Sequence, residues 1–247
     1  ISSHLKEDSI LISLQNGINE ETIIERIERE FVIGCVVVMD GRLIAPGVGY
    51  QENPNERIFV VGNLEGKFDK RVDAAAALLN IIGEVSVTDN IWGELWSKLV
   101  HNCLINGVCA LTLFDGATAL RDNMIWPFAY GLACEAVEVA SANGIKLEAS
   151  GLFGCDPTDF LEGNEKRIQE AIYTAYPIEE EIYPSMAQDI MKGRETEINY
   201  LNGYIVRKGC SSGVFTPKNN LIVDLIYQVE QGTLLAKAEN TKLLIEG

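Results

Sequence analysis

The chain predicts an α/β N-terminal part over residues 1–90, holding only the second half of a doubly wound sheet, followed by an all-α part over residues 91–247. Three observations predict this. Short apolar runs at Ser9–Leu14 and Phe31–Val38 flank a helix-patterned segment, which reads strand, helix, strand. A Gly/Pro-rich stretch with short alternating runs, Asp40–Gly62, reads as an antiparallel hairpin or edge ribbon. From Asn90 onward the pattern is helical only.

Taken in order, the first run ends in the turn Gln15-Asn16-Gly17, at the carboxyl end of its strand. Ligands of open α/β sheets bind beyond such ends. Asn-Gly is equally an ordinary turn. Asn19 is an N-cap candidate, acidic residues follow, and Ile23, Ile24 and Ile27 carry a helix to about Glu30. The segment Gly62–Lys67 superficially resembles a phosphate loop but lacks its residue count and its Ser/Thr. Asp69–Ile82 reads as an alanine-rich helix closed by Gly83, and Val85–Val87 as a last strand. Glu94–Ala110 is a long helix. Asp122–Asn143 is a second, with Ala133, Ala136, Val137 and Ala140 on one face and Gly144 as its stop. Ala149–Pro157 is a loop, and Asp159–Ala175 a weaker helix. An acidic run within Pro177–Lys192 precedes SMAQDIMKG, and Thr196 is placed to cap a helix over TEINYLNGYIV. Gly209–Gly213 fits a helix-to-helix turn, and Pro217 opens a last helix to about Leu235.

Hydrophobic content of 47% and charged content of 23% are those of a globular protein with a sizeable core. Net charge is −16 with no Lys/Arg cluster, which speaks against nucleic acid as a partner. The longest apolar run, Phe31–Met39, is too short to span a bilayer, so no membrane partner is expected. Six cysteines stand singly without a CxxC and only two histidines are present. That pattern predicts no metal site and fits reduced thiols in a cytoplasm.

Three polar residues, Lys98, Asn102 and Asn106, interrupt the apolar helix at a spacing of four. Each step of four turns a helix by roughly 40°, so they form one stripe. Two readings stand side by side: a wet helix edge or a cap for a neighbouring element, and the lining of a ligand cleft. Ser185 reads as a back-bonded helical serine or a ligand contact, and Glu197 as helix-start electrostatics or a site group. His101 lies one residue off the stripe, and no Ser-His-Asp or Cys-His set is credible. A lysine ammonium beside a carbonyl oxygen can donate a proton as that oxygen gains charge. Amides can hold a carboxylate or hydroxyl. That chemistry suits reduction of a small keto acid with hydride from a cofactor, although no GxGxxG is present.

SLQNG, LWSKLVHNCLIN, SMAQDIMKGRETEINYLNG and GVFTPKN, in this order and at these distances, resemble the ketopantoate reductase family (2-dehydropantoate 2-reductases) over nearly the whole chain. The resemblance implies an NADPH-dependent reduction of 2-dehydropantoate to (R)-pantoate on the route to pantothenate and coenzyme A. It implies an N-terminal Rossmann domain, a helical C-terminal domain and a site in the cleft between them. Lys98 then matches the general acid, and Asn102, Asn106 and Ser185 match substrate-binding residues. Asn16 matches a residue touching cofactor and substrate, and Glu197 a catalytic residue on the cofactor's ribose side. A small-molecule 2-keto acid is the expected partner, and the apolar C-terminal helices would allow a homodimer.

The family's opening strand, glycine-rich turn and first βαβ units are expected upstream of Ile1, about 80–90 residues. Without that turn, residues 1–247 are expected to hold NADPH poorly, and the NADPH or NADH preference is set outside them. The family's loop asparagine has no clean equivalent near Asp115-Gly116, and its proline after the second asparagine is Gly107. A reductase of another 2-keto acid, or a non-catalytic helical dimerisation or binding module, are the alternatives.

Overall fold

In the computed structural model, residues 4–38, 41–51, 57–149, 152, 154–178 and 182–245 are described. The chain divides into two compact units, Ile1–Leu95 and Trp96–Gly247.

The first unit holds β1 (Leu11–Ile12), α1 (Asn19–Ile24), β2 (Val32–Val37), β3 (Gly41–Ala45), β4 (Val48–Gln51), β5 (Arg57–Asn63), α2 (Lys70–Leu79), β6 (Glu84–Val87) and the first turn of α3 (Ile91–Thr112). Its main sheet runs β1-β2-β5-β6. β1 pairs with β2 in parallel, β2 with β5 antiparallel, and β5 with β6 in parallel. β3 and β4 form the expected hairpin as a separate two-stranded ribbon, but the run Arg57–Val61 of the same stretch is corrected: it is β5, an interior strand of the main sheet between β2 and β6. On one face of the sheet Ile33, Cys35, Phe59 and Val61 pack against Val72, Ala75 and Leu79 of α2. Alternation puts Gly34 and Gly62 on the other face, against Ile91. Asp69 caps α2, accepting from the Arg71 and Val72 amides.

The second unit is all helix: the rest of α3, then α4 (Gly116–Arg121), α5 (Trp126–Ala142), α6 (Pro157–Glu162), α7 (Glu165–Ala175), α8 (Ser185–Met191), α9 (Asn202–Ser212) and α10 (Pro217–Glu230), with 3-10 turns at Ile198–Tyr200 and Ala238–Leu244. α3 is its axis: Leu99, Cys103, Leu104, Val108 and Cys109 are fully buried. α9 and α10 pack on each other and on α5.

Several local expectations are corrected. β1 is two residues long rather than six. Asn19 is not the cap of α1 but its first residue, and its side chain donates back to the Asn16 carbonyl at 2.7 Å. α1 stops at Ile24, and the stretch to Glu30 leads into a 3-10 turn. The single helix expected over Asp159–Ala175 is two, because Gly163 ends α6 in the left-handed region at φ 73°. The helix expected from Thr196 is a 3-10 turn and then α9, separated at Leu201, whose ψ of −99° breaks the helical path. α9 runs through Gly209 to a cap at Gly213, and α10 ends at Glu230 rather than Leu235. The acidic run Glu179–Glu181, and Ser150, Gly151 and Phe153 of the Ala149–Pro157 loop, lie outside the described residues.

Candidate active site

α3 carries the stripe. Trp96, Leu99, Val100, Cys103, Leu104 and Ile105 are at most 1% exposed, which leaves Lys98 half-buried among them. Asn102 is 5% exposed and Asn106 4%. The Asn102 amide nitrogen has no hydrogen-bond partner among the described residues. A buried unpaired donor costs about 1–3 kcal/mol.

The two flanks of the stripe are filled differently. The flank through Leu99, Cys103 and Gly107 meets α9, α10 and the turn before α9. Trp96 meets the Tyr204 ring edge-on at 5.5 Å. Asn202 donates to the Cys103 carbonyl at 3.1 Å and to Asn219 Oδ1 at 2.9 Å. Asn219 in turn donates to the Leu132 carbonyl and to Glu135. Glu135, on α5, also accepts the Lys218 and Asn219 amides and so closes the N-terminus of α10. Gly107 lets this flank close tightly. A Cβ there would stand 2.7 Å from Ile222 and 3.7 Å from Ile198.

Glu197 is the neighbour of Ile198, in the segment that this contact brings toward α3. The segment is fixed from α10: Glu230 accepts both the Thr196 amide and hydroxyl at 2.7 Å, and the Thr196 hydroxyl accepts the Ile198 amide at 3.2 Å. Glu197 is half-buried.

The opposite flank runs through His101 and Ile105. His101 Nε2 hydrogen-bonds the Tyr176 hydroxyl at 2.8 Å. Burial, and then the charge of Lys98, hold the His101 imidazole well below its ordinary pKa, so it is neutral. Gly116, at the start of α4, lies against Ile105 and the Tyr176 ring, and its amide donates to the Ile182 carbonyl at 2.8 Å. This ties the chain entering α8 to the same flank. Ser185, three residues on, is the first residue of α8 and exposed. A first-turn serine has no carbonyl four residues back within its helix, so the back-bonded reading is corrected. Asp115 is occupied as the cap of α4, accepting from Thr118.

Asn16 belongs to the first unit. It is half-buried in the turn after β1, where Gly17 takes φ 85°. Four residues on, Glu20 is 1% exposed, with one carboxylate oxygen lacking a partner among the described residues. Burial pushes its pKa up to about 7 against the lowering effect of backbone amides, including that of Cys35.

Sequence reasoning missed the Glu135–Asn219–Asn202 network and the His101–Tyr176 pair. Glu135 carried a signal: a carboxylate set within the apolar run of α5. Tyr176 carried none, because its partner lies 75 residues away. Among the described residues no cluster of His, Cys, Asp and Glu suits a metal ion, and no helix is long and apolar enough to cross a membrane.

An α/β unit with parallel strands followed by an all-α unit, with a lysine and two amides along the latter's long helix, is the build of a two-unit oxidoreductase. A solved ternary structure of D-mandelate dehydrogenase with NADH and anilino(oxo)acetate has a TM-score of 0.74 at 25% identity, covering 94% of this chain and 71% of that one. A PanE/ApbA family ketopantoate reductase from Ralstonia eutropha has a TM-score of 0.74 at 27% identity, with 94% and 70% covered. A 2-dehydropantoate 2-reductase of Archaeoglobus fulgidus is 26% identical over 224 residues, 90% of this chain and 69% of that protein. Residues 90–230 match the family model described as "Ketopantoate reductase PanE/ApbA C terminal". The chain belongs to the ketopantoate reductase family.

Proposed function

We propose that the chain reduces 2-dehydropantoate to (R)-pantoate, the step that feeds pantothenate and coenzyme A synthesis. The observation that carries this is the stripe itself: one lysine and two buried amides, with the Asn102 donor unspent among the described residues. A nicotinamide cofactor supplies the hydride when bound. Lys98 Nζ passes a proton to the C2 oxygen of the keto acid as that oxygen gains negative charge. Asn102 and Asn106 orient the carbonyl and hydroxyl groups, and the Ser185 hydroxyl holds the carboxylate end. Glu197 is assigned to the cofactor's ribose side, and Asn16 to cofactor and substrate.

The residues fit the nicotinamide end of such a cofactor. The Gln15–Asn16–Gly17 turn closes a strand of a parallel pair, where dinucleotides bind in sheets of this kind. They do not include a glycine-rich phosphate-cradling turn. NADPH rather than NADH is part of the proposal, and competitive titration of the two tests it. A homodimer is part of the proposal, and a cytoplasmic setting is supported by the six free thiols. Sedimentation velocity decides the first.

The expected result for Lys98→Ala is a fall in turnover of about 10²–10⁴-fold, the range for a lost general acid, with cofactor affinity retained. Turnover within a few-fold of the parent would remove Lys98 from the reaction. A second reading, a reductase of another 2-keto acid, is favoured by the D-mandelate dehydrogenase likeness and is separated by a panel of 2-keto acids.

A further inference from the structure

The flank of the stripe through His101 and Ile105 is built around one aromatic ring. Tyr176 caps the end of α7, and its backbone amide closes that helix on the Ile172 carbonyl at 3.0 Å. The ring then meets α3 at His101 and α4 at Gly116, which itself packs toward Ile105. Its hydroxyl meets His101 Nε2 at 2.8 Å, with the two rings edge-on at 6.1 Å. Its Cδ1–Cε1 edge lies over Gly116, where a Cβ would come within 2.7 and 2.8 Å of those atoms and 3.0 Å from Ile105. His101 and Ile105 are one helical turn apart, about 6 Å along the axis. The ring therefore lies on the His101–Ile105 flank of the helix that carries Lys98, Asn102 and Asn106. Tyr176 as a whole is half-buried.

We propose that Tyr176 is the specificity-determining wall of the substrate side-chain subsite, and that His101 is the positioning residue that holds the ring there. This rests on the assignment of the Lys98 stripe to keto-acid binding. With the hydroxyl paired to His101, the ring offers the substrate chiefly apolar surface. That suits a branched aliphatic group beside the keto carbon, such as the dimethyl carbon of 2-dehydropantoate. On this proposal a bulkier planar aryl substituent competes with the ring for that space. His101 is neutral in this setting and adds no second positive charge beside Lys98.

Binding of 2-dehydropantoate and of phenylglyoxylate to the full chain, followed by ligand-detected NMR, tests this without a reductase assay. For Tyr176→Ala the ratio of the two dissociation constants is expected to move at least tenfold toward phenylglyoxylate. For Tyr176→Phe and His101→Leu, which lose the hydrogen bond but keep the ring, a shift of about two- to fivefold is expected. His101→Gln, which can still accept from the hydroxyl, should restore the parent ratio. General destabilisation would weaken both acids together and leave the ratio fixed. Lys98→Ala is the control. If it weakens both acids while Tyr176→Ala leaves the ratio within twofold of the parent, the wall is overturned and the site stands. If Lys98→Ala changes neither affinity, both the site and the wall fall.

Discussion

Asn219 and Asn102 are both buried amides of the helical unit, and their donors are spent differently. Asn219 gives its amide hydrogens to the Leu132 carbonyl and Glu135, and accepts from Asn202. Asn102 keeps a buried nitrogen without a partner among the described residues. The network's orphan among those residues is an acceptor, Asn202 Oδ1, and an under-used carbonyl oxygen is a commoner and milder defect than an unmade N–H bond. The Glu135–Asn219–Asn202 network thus spends its side-chain donors on the fold, while the stripe beside it has one without an acceptor among the described residues. The difference separates residues whose polar groups serve the fold from those proposed to bind substrate.

The largest effect on stability is expected where the network is cut. Glu135→Ala leaves the Lys218 and Asn219 amides and one Asn219 side-chain donor without their acceptor. Stability should fall by about 3 kcal/mol in urea denaturation. Affinity for 2-dehydropantoate, measured on the folded fraction, should stay within about twofold of the parent. Loss of affinity in proportion to stability would dissolve the distinction between the two regions.

Glu20 extends the comparison to the α/β unit, since it is a buried carboxyl with an orphan oxygen among the described residues. Folded, it holds its proton up to about pH 7, whereas its ordinary value is 4.5. The folded state therefore binds more protons than the unfolded state between those values. Its contribution is intact below about pH 4.5 and is lost as pH rises through 7, by at most about 3 kcal/mol. Glu20→Gln should remove that slope, leaving the variant more stable than the parent at about pH 8. Parallel stability–pH curves for the two proteins would show that Glu20 is charged and paired instead. Cys35 lies close enough for Glu20 to add to the burial that pushes its thiol up to about 12.

Periodicity explains which features are legible in the sequence. The strand–helix–strand order, the β3–β4 hairpin and the run of helices all follow from local patterning. The stripe is legible because polar residues at a spacing of four stand out on a helix whose other faces are apolar. What local pattern cannot carry is a partner far along the chain. The break at Gly163 is held by Asp159, which takes hydrogen bonds from Asn164 and Arg167 and so serves a turn rather than a continuing helix. Ser185 reads as an interior helical residue, because only the tie between Gly116 and Ile182 shows where its chain segment turns. Glu135 and Asn219 are 84 positions apart, and neither reads as the other's partner.

Asn102 gives the smallest and most discriminating effect. Asn102→Ala deletes a donor that nothing in the described structure accepts, and alanine is the better helix former by a few tenths of a kcal/mol. Against this stands the small cavity left by the amide. The two nearly offset, so the stability change should be under about 1 kcal/mol. Affinity for 2-dehydropantoate should nonetheless fall about tenfold, roughly 1.4 kcal/mol for one lost hydrogen bond to the ligand. Asn219→Ala, run beside it, should show the reverse: a stability loss of about 2–3 kcal/mol and little change in affinity. If Asn102→Ala instead destabilised the chain as much as Asn219→Ala, its nitrogen would be serving the fold. The stripe would then be a structural seam and not the floor of a binding site.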